Sequence, residues 1–341
     1  MKRLLNTLYI LTPGTRLSRE GGCILVEMPE RDAVRVPMGT LEGVVCFAQV
    51  THTPALLDHC AESGVTLTHL SEYGRFLARL EGPVSGNVLL RREQYRRLDD
   101  GKAVADLARF ILVAKLANAR RVLLRGAREE VGEEVGDPLR QAAERIKSIG
   151  ERLGTVTELD VLRGLEGEAA ALYWGVFRHL LKPREFAFTV RSRRPPLDPV
   201  NALLSFVYTL LLHDVRSALE TVGLDPQAGY LHRLRPGRPS LALDVMEEFR
   251  APVADRLVAT LINREQVRPE GFRQEPNGAI LMKDETRRTV LVAYQERKQE
   301  AVTHPFLDKK MPLGLLWHGQ ALLLGRYLRG ELDGYPAYVW R

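Results

Sequence analysis

Cysteine is scarce in this chain, aromatic residues make up only 7% of it, and no apolar run is long. The three cysteines, Cys23, Cys46 and Cys60, all lie near the amino terminus. An odd number without CxxC spacing argues against a disulfide framework and against a zinc finger. The expectation is reduced thiols packed as small hydrophobes. His52 and His59 lie near Cys46 and Cys60 in the sequence, but without spacing that a metal would use. No apolar stretch reaches the ~18 residues a membrane helix needs. The basic start, Met1-Lys2-Arg3, leads into an apolar run broken at Pro13-Gly14, which does not read as a signal peptide. No membrane association is expected, and the cytoplasm is the expected compartment. The sequence also lacks GxxxxGK[ST], a GxGxxG after a strand, HExxH and GxSxG. Those absences argue against ATP hydrolysis, dinucleotide redox chemistry and zincin-type or elbow-serine hydrolysis.

What is present is an ordinary globular composition, 45% hydrophobic and 27% charged over 341 residues, long enough for two domains. The first part reads as short β-branched or apolar runs (8–11, 23–26, 33–36, 44–47, 65–67 and 75–78) separated by turn residues such as Pro13-Gly14 and Gly21-Gly22, with one short helix over 55–60. Beyond Gly82-Pro83 the apolar residues recur at three and four, which is helical spacing. Helices are predicted over 139–150, 158–181, 198–221, 240–264, 284–302 and 314–330, with Gly132 to Pro138 as a loop and a kink at Pro252. Asp198, Ser240 and Asp284 stand at helix starts as capping residues. The reading is α+β with two domains: a small β-rich domain over 1–85, then a larger, nearly all-α domain over 86–341.

The net charge is +6. Residues 1–100 are balanced, so the excess lies in the helical part. A modest basic bias fits a polyanionic partner without requiring one. Three segments there carry possible chemistry. In Gly164-Leu165-Glu166-Gly167 two glycines flank an acid inside a helix, where each costs roughly 1 kcal/mol. Another group approaching the backbone would explain them; so would nothing beyond a solvated Glu. In Asp225–His232 a turn delivers a histidine, and a lone histidine is often simply structural. In Ser240–Arg250, Asp244, Glu247 and Glu248 stand at i, i+3 and i+4. That places three carboxylates on one face, where they repel unless a cation, the helix dipole or Arg250 compensates. Carboxylates with one imidazole would suit Mg²⁺ or Mn²⁺. Basic segments flank these residues: Lys182, Arg184, Arg191, Arg193 and Arg194, then Arg233, Arg235 and Arg238. Beside a metal site they read as phosphate contacts.

Taken together, Gly223-Leu224-Asp225-Pro226, Gly229-Tyr230-Leu231-His232, Arg238-Pro239-Ser240 through Arg250, and Gly164-Leu165-Glu166-Gly167 resemble the CRISPR-associated endonuclease/integrase of spacer acquisition (CRISPR-associated protein one). The opening Asn6–Thr12 and the ending Asp333–Trp340 are similar to its I-C subtype branch. The resemblance implies a β-rich domain making dimer and partner contacts, joined to a helical catalytic domain. It implies metal ligands at Glu166, His232 and Glu247, with Asp244 a possible additional acidic residue, and it sets Glu168 and Glu248 aside. It implies a metal-dependent DNA endonuclease and integrase that joins 3′-hydroxyl ends of short foreign fragments to a repeat array. The implied partners are a homodimeric second copy, a small companion adaptation protein and double-stranded DNA. Two other readings remain: a non-catalytic DNA-binding scaffold with a vestigial metal site, and a basic small-molecule phosphohydrolase.

Overall fold

The computed structural model describes residues 6–47, 49–71, 76–80, 82, 88–129, 133–183 and 185–340. Within these, the chain forms two units, one of Met1–Ser85 with Gln295–Glu300, the other of Gly86–Tyr294 with Ala301–Arg341. The α+β architecture read from the sequence, β-rich first and helical second, is the one observed.

The first unit contains β1 (Asn6–Ile10), β2 (Arg16–Glu20), β3 (Cys23–Glu27), β4 (Val34–Pro37), β5 (Leu41–Phe47), β6 (Thr51–His52), α1 (Pro54–Ser63), β7 (Thr66–Leu70) and β8 (Phe76–Leu80). They build two four-stranded sheets, ordered β1-β5-β7-β8 and β4-β3-β2-β6. Strand β5 lies between parallel neighbours and is almost wholly buried, so it reads as a continuous apolar run rather than an alternating one. Strand β2, Arg-Leu-Ser-Arg-Glu, escapes sequence reading because only Leu17 on it is buried. Helix α1 starts on Pro54 and stops at Gly64, whose φ of 66° is the left-handed conformation glycine tolerates.

Cys46 and Cys60 are buried in this unit's core beside Leu17, Ile24, Val44 and Leu56, as small hydrophobes should be. The sequence reading of the histidines needs correction. Parallel pairing of β5 with β7 sets Cys46 beside His69, and β6 brings His52 to the same place. Sheet register, not linear spacing, assembles the group.

The second unit begins with α2 (Val88–Leu98), α3 (Gly101–Glu129), α4 (Glu133–Leu153), α5 (Leu159–Val176), α6 (Pro199–Val222), α7 (Ser240–Phe249) and α8 (Arg256–Asn263). A hairpin of β9 (Phe272–Gln274) and β10 (Ile280–Met282) follows, then α9 (Asp284–Gln299), whose residues from Gln295 on belong to the first unit, a hairpin of β11 (Ala301–His304) and β12 (Lys309–Pro312), and α10 (Leu316–Leu328). The two hairpins are additions to the expected all-α pattern. Residues 133–138, expected as a loop, are the first turns of α4, with Pro138 accommodated inside it. Helix α6 is long and apolar enough to cross a membrane by length and composition, but 72% of that window is buried inside the protein, as befits a core helix. Asp198 caps it, accepting from the Asn201 N–H at 2.7 Å, Pro199 occupies its first turn, and Gly223 ends it at φ 93°.

Between α7 and α8 the backbone runs as a π-helical segment, Arg250–Asp255. Pro252 has no N–H for the carbonyl of Glu248 four residues back. The Asn118 side chain on α3 donates to that carbonyl instead, at 2.8 Å. The same amide donates to the Tyr338 carbonyl and accepts from the Trp340 N–H, so the chain's closing segment is tied to the irregular turn.

Candidate active site

Helices α3, α5 and α7, the π-helical segment and the stretch between α6 and α7 meet in a cavity of about 170 Å³ lined by Lys115, Glu166, His232, Glu247 and Arg250, among others. Glu166 comes from α5, Glu247 from α7, and His232 from the segment between α6 and α7. The chain therefore brings together residues that lie far apart in sequence.

The segment carrying His232 is held from several sides. Gln94 on α2, fully buried, donates to the carbonyls of Asp225 and Ala228 and accepts from the Asp225 N–H. The carbonyl of Pro226 accepts from the N–H groups of Leu241 and Ala242, which α7 leaves without helical partners at its start. Gly229 lies against that same helix start: a Cβ there would stand 2.5 Å from the Ser240 carbonyl carbon. Ser240 is not the N-cap expected from sequence. It is the first residue of α7, with Pro239 in the cap position, and its hydroxyl donates to the Arg233 carbonyl at 3.2 Å.

The three carboxylates of α7 do not share a face toward one cation. Asp244 is fully buried and accepts from the backbone N–H groups of Tyr230, Leu231 and His232 at 2.6, 3.0 and 2.9 Å. Its Oδ1 is also 2.7 Å from His232 Nδ1. With the Nδ1 proton given to Asp244, the Nε2 lone pair faces the cavity, 3.7 Å from Glu247 Oε1. Asp244 thus orients the imidazole, and its own oxygens are occupied. Glu248 turns the other way, accepting from Gln320 Nε2, the Tyr335 hydroxyl and the Tyr338 N–H. Burial outweighs those bonds and pushes its pKa up to about 7. Only Glu247 enters the cavity.

Glu247 is buried and meets two cations. Its Oε2 is 2.9 Å from Lys115 Nζ and its Oε1 is 3.2 Å from an Arg250 guanidinium nitrogen. Burial works against the ionised form, yet Arg250 and Lys115 bring its pKa down to about 2. Lys115 also bonds Glu166 directly. Burial opposes its charge, but Glu247 and Glu166 together hold its pKa above the ordinary lysine value. Arg250 in turn lies 4.8 Å from the centre of the Tyr208 ring. Beneath it, the buried Asp255 accepts from the hydroxyls of Tyr208 and Tyr173 at 2.6 and 2.9 Å, and burial raises its pKa to about 6.

The whole chain has known relatives. Residues 8–296 match the family described as "CRISPR associated protein Cas1". The curated protein "CRISPR-associated endonuclease Cas1 1" of Chlorobaculum tepidum is 51% identical over 343 residues, covering 100% of both chains. The chain belongs to the Cas1 family. Among solved structures, a casposase bound to integration product superposes with a TM-score of 0.84 at 20% identity, over 98% of this chain and 94% of that one. The Cas1-containing chain of a Cas6-RT-Cas1–Cas2 complex gives 0.82 at 23%, over 98% of this chain and 36% of that longer one. At such identities the structural likeness establishes the fold.

Against this Cas1 background the other sequence expectations divide. Glu168, set aside in favour of Glu166, pairs with Arg152 at the surface, 3.1 Å away. Among the described residues no group approaches the glycines around Glu166: a Cβ at Gly164 or Gly167 would meet nothing within 4 Å. Arg191 is not free to contact a phosphate. It hydrogen-bonds Asn201 and Ser205 at 2.6 and 3.2 Å and lies 5.7 Å from the centre of the Trp174 ring. Arg193 lines the cavity, and both it and Arg194 are exposed. Arg233 is exposed and faces Asp160 at 3.6 Å. Arg235 is exposed too; partial burial, with Arg235, Arg194 and Arg250 nearby, holds the Arg238 pKa below its ordinary value. Arg184 lies outside the described residues. Lys115 and Tyr208 were missed, whereas Arg250, read from sequence as a possible counterion to the α7 carboxylates, does pair with Glu247. Nothing in the sequence around Lys115 marks it, and only the fold reveals its two acidic partners.

The donor set suits a divalent cation. Two carboxylates already converge on one positive charge, the Lys115 ammonium, and an imidazole nitrogen faces the same space. Oxygen-rich ligation with one nitrogen fits Mg²⁺ or Mn²⁺.

Proposed function

We propose that this chain is a metal-dependent DNA endonuclease and integrase of CRISPR adaptation, with Glu166, His232 and Glu247 as its metal ligands. The observation that carries the reading is the convergence of these three side chains on one cavity that Arg193 and Arg250 also line. The identity of the relatives, named endonucleases, supports the same reading. Within the family we assign the chain to the I-C branch on its opening and closing segments.

In the integration step, a 3′-hydroxyl oxygen of a short fragment attacks a phosphorus of the repeat. A new P–O bond forms, the repeat strand's own 3′-oxygen leaves, and the attacking hydroxyl's proton passes to solvent. With water as attacker the result is strand cleavage. Glu166, His232 and Glu247 would hold a Mg²⁺ or Mn²⁺ ion, which when bound would supply Lewis acidity toward a phosphoryl oxygen. The chain's own residues do the rest. Asp244 holds the Nδ1 proton of His232 so that Nε2 is the ligand nitrogen. Arg250, fixed by Glu247 and the Tyr208 ring, keeps a positive charge at the cavity floor as negative charge grows on the phosphoryl group. Arg193, Arg194, Arg233, Arg235 and Arg238 hold backbone phosphates on either side. Domains over 1–85 and 86–341 divide the work: the first makes dimer and partner contacts, the second the chemistry.

The partners follow from the same reading: duplex fragments, the repeat array, a second copy of the chain, and a small companion protein of the kind named in the Cas1–Cas2 assembly. The setting is the cytoplasm, in antiviral defence. The test is an integration assay with the protein, its companion, a short duplex and a repeat plasmid. Joined product is expected with Mn²⁺ and none with a chelator. Tight DNA binding without product would leave a scaffold; turnover of nucleotide or sugar phosphates alone would leave a small-molecule phosphohydrolase.

A further inference from the structure

The β-rich unit carries a cluster of donors that the reaction does not use. Cys46 sits near the end of β5 and is fully buried. His69 is its register partner on β7. After β5 the chain turns into β6, where His52 pairs with Leu17 of β2 in the other sheet. One sulfur and one ring nitrogen from each histidine lie within 4.8 Å of one another. The two rings meet edge to face, with centroids 4.7 Å apart.

We propose that Cys46, His52 and His69 bind a zinc ion that clamps the two sheets of the β-rich unit together. The donors themselves exclude the ions suited to the cavity of the helical unit. One thiolate and two imidazoles are borderline to soft, whereas Mg²⁺ and Mn²⁺ take oxygen. The geometry is close to what zinc asks. Tetrahedral ligands at zinc–nitrogen and zinc–sulfur bond lengths stand about 3.3–3.6 Å apart. The three donors therefore need to draw in by roughly 1 Å, which rotation of the two half-buried imidazoles can supply.

A second observation points to a ligand. His52 Nε2 is buried and has no hydrogen-bond partner among the described residues. Buried polar atoms are normally satisfied, and a lone pair with no donor before it is what a cation would occupy. Burial holds both imidazoles below the ordinary histidine pKa, so they are neutral and in ligand form at pH 7. Burial also pushes the Cys46 thiol up to about 12. The thiol therefore keeps its proton until the metal arrives, and the proton leaves to solvent as the sulfur–zinc bond forms. Three protein ligands leave the fourth position to water.

Zinc content measured by mass spectrometry on the full chain, after loading with Zn²⁺ and exhaustive dialysis, tests this. The chain is first given Glu166→Ala and Glu247→Ala, so that the helical unit's cavity cannot retain the ion. About one zinc per chain is expected, falling at least tenfold on adding His52→Ala with His69→Ala. Zinc that is absent from the parent, or unchanged in the double histidine variant, overturns the proposal. Cobalt gives a readout that needs no folded variant of this cluster. The otherwise unaltered chain loaded with Co²⁺ should show the near-ultraviolet thiolate-to-cobalt band of a tetrahedral site. A Co²⁺ spectrum without that band rejects Cys46 as a ligand, and the proposal with it.

Discussion

The carboxylate of Asp244 lies directly behind the imidazole of His232, with Oδ1 2.7 Å from Nδ1, while it also takes three consecutive backbone N–H groups from Tyr230 to His232. One buried side chain thus fixes the ring, its tautomer and the loop that carries it. Asp244→Asn keeps the size but presents a poorer and partly misdirected acceptor. We expect Mn²⁺ affinity, followed by calorimetric titration, to fall about 10–100-fold, the usual cost of losing such a partner. Unchanged affinity would show that the ring orients without it.

Glu166→Ala, His232→Ala and Glu247→Ala should each abolish Mn²⁺-dependent strand transfer, while Glu168→Ala, at the surface, should leave it near the parent rate. Gel analysis of joined product reads all four. Normal integration by the first three would remove the site assignment.

Lys115 competes for the space between Glu166 and Glu247. In Lys115→Met the two carboxylates face each other without a cation. We expect lower stability in chelator and roughly tenfold tighter Mn²⁺ binding, about 1.4 kcal/mol. Thermal melts with and without Mn²⁺ measure both, and a variant whose metal response matches the parent would count against Lys115 as a stand-in.

The acidic groups also set the pH dependence. Glu247, held down at about 2, contributes stability that is present above the unfolded carboxylate range and lost as pH falls from about 4.5 toward 2. Glu248, raised to about 7 by burial, acts in the opposite sense. Between about 4.5 and 7 the folded state keeps a proton that the unfolded state releases, so this group's share of stability declines as pH rises. In Glu248→Gln that decline, roughly 1–3 kcal/mol, should vanish from the difference between melts at pH 5 and pH 8. An identical slope in parent and variant would assign the effect elsewhere.

Arg193→Ala with Arg194→Ala should weaken DNA binding and flatten the plot of log affinity against log salt by roughly one to two phosphate contacts. Arg191→Ala should act instead through stability, since its guanidinium is engaged by Asn201, Ser205 and the Trp174 ring. A salt slope unaltered by the double substitution would take this rim off the DNA path.

The order of β-rich and helical parts was legible because periodicity of two and of 3.6 is written into the sequence directly. The motif residues Glu166, His232 and Glu247 were legible through family resemblance, and the cavity brings them together. What could not be read was direction. Asp244, Glu247 and Glu248 sit within five positions of one another, yet one faces a loop, one the cavity and one the closing segment. That division depends on what packs against α7. For the same reason Arg191 looked like its neighbours Arg193 and Arg194, although an aromatic ring and two polar side chains claim it. Ser240 missed its expected role because Pro226, distant in sequence, already serves the exposed amides of that helix start.

The wide turn at Arg250–Asp255 has a consequence for how this scaffold tolerates change. Five-residue hydrogen-bond spacing there places Arg250 and Asp255 on neighbouring positions of the same surface, whereas regular winding would separate them. Deleting one residue in the turn would restore ordinary winding and re-aim the residues within it, while the helices on either side keep their register. The Asp255 anchor would then swing off the two tyrosines, and the Asn118 amide would lose the carbonyl it serves. Length, rather than residue identity alone, is therefore what this stretch of chain must keep.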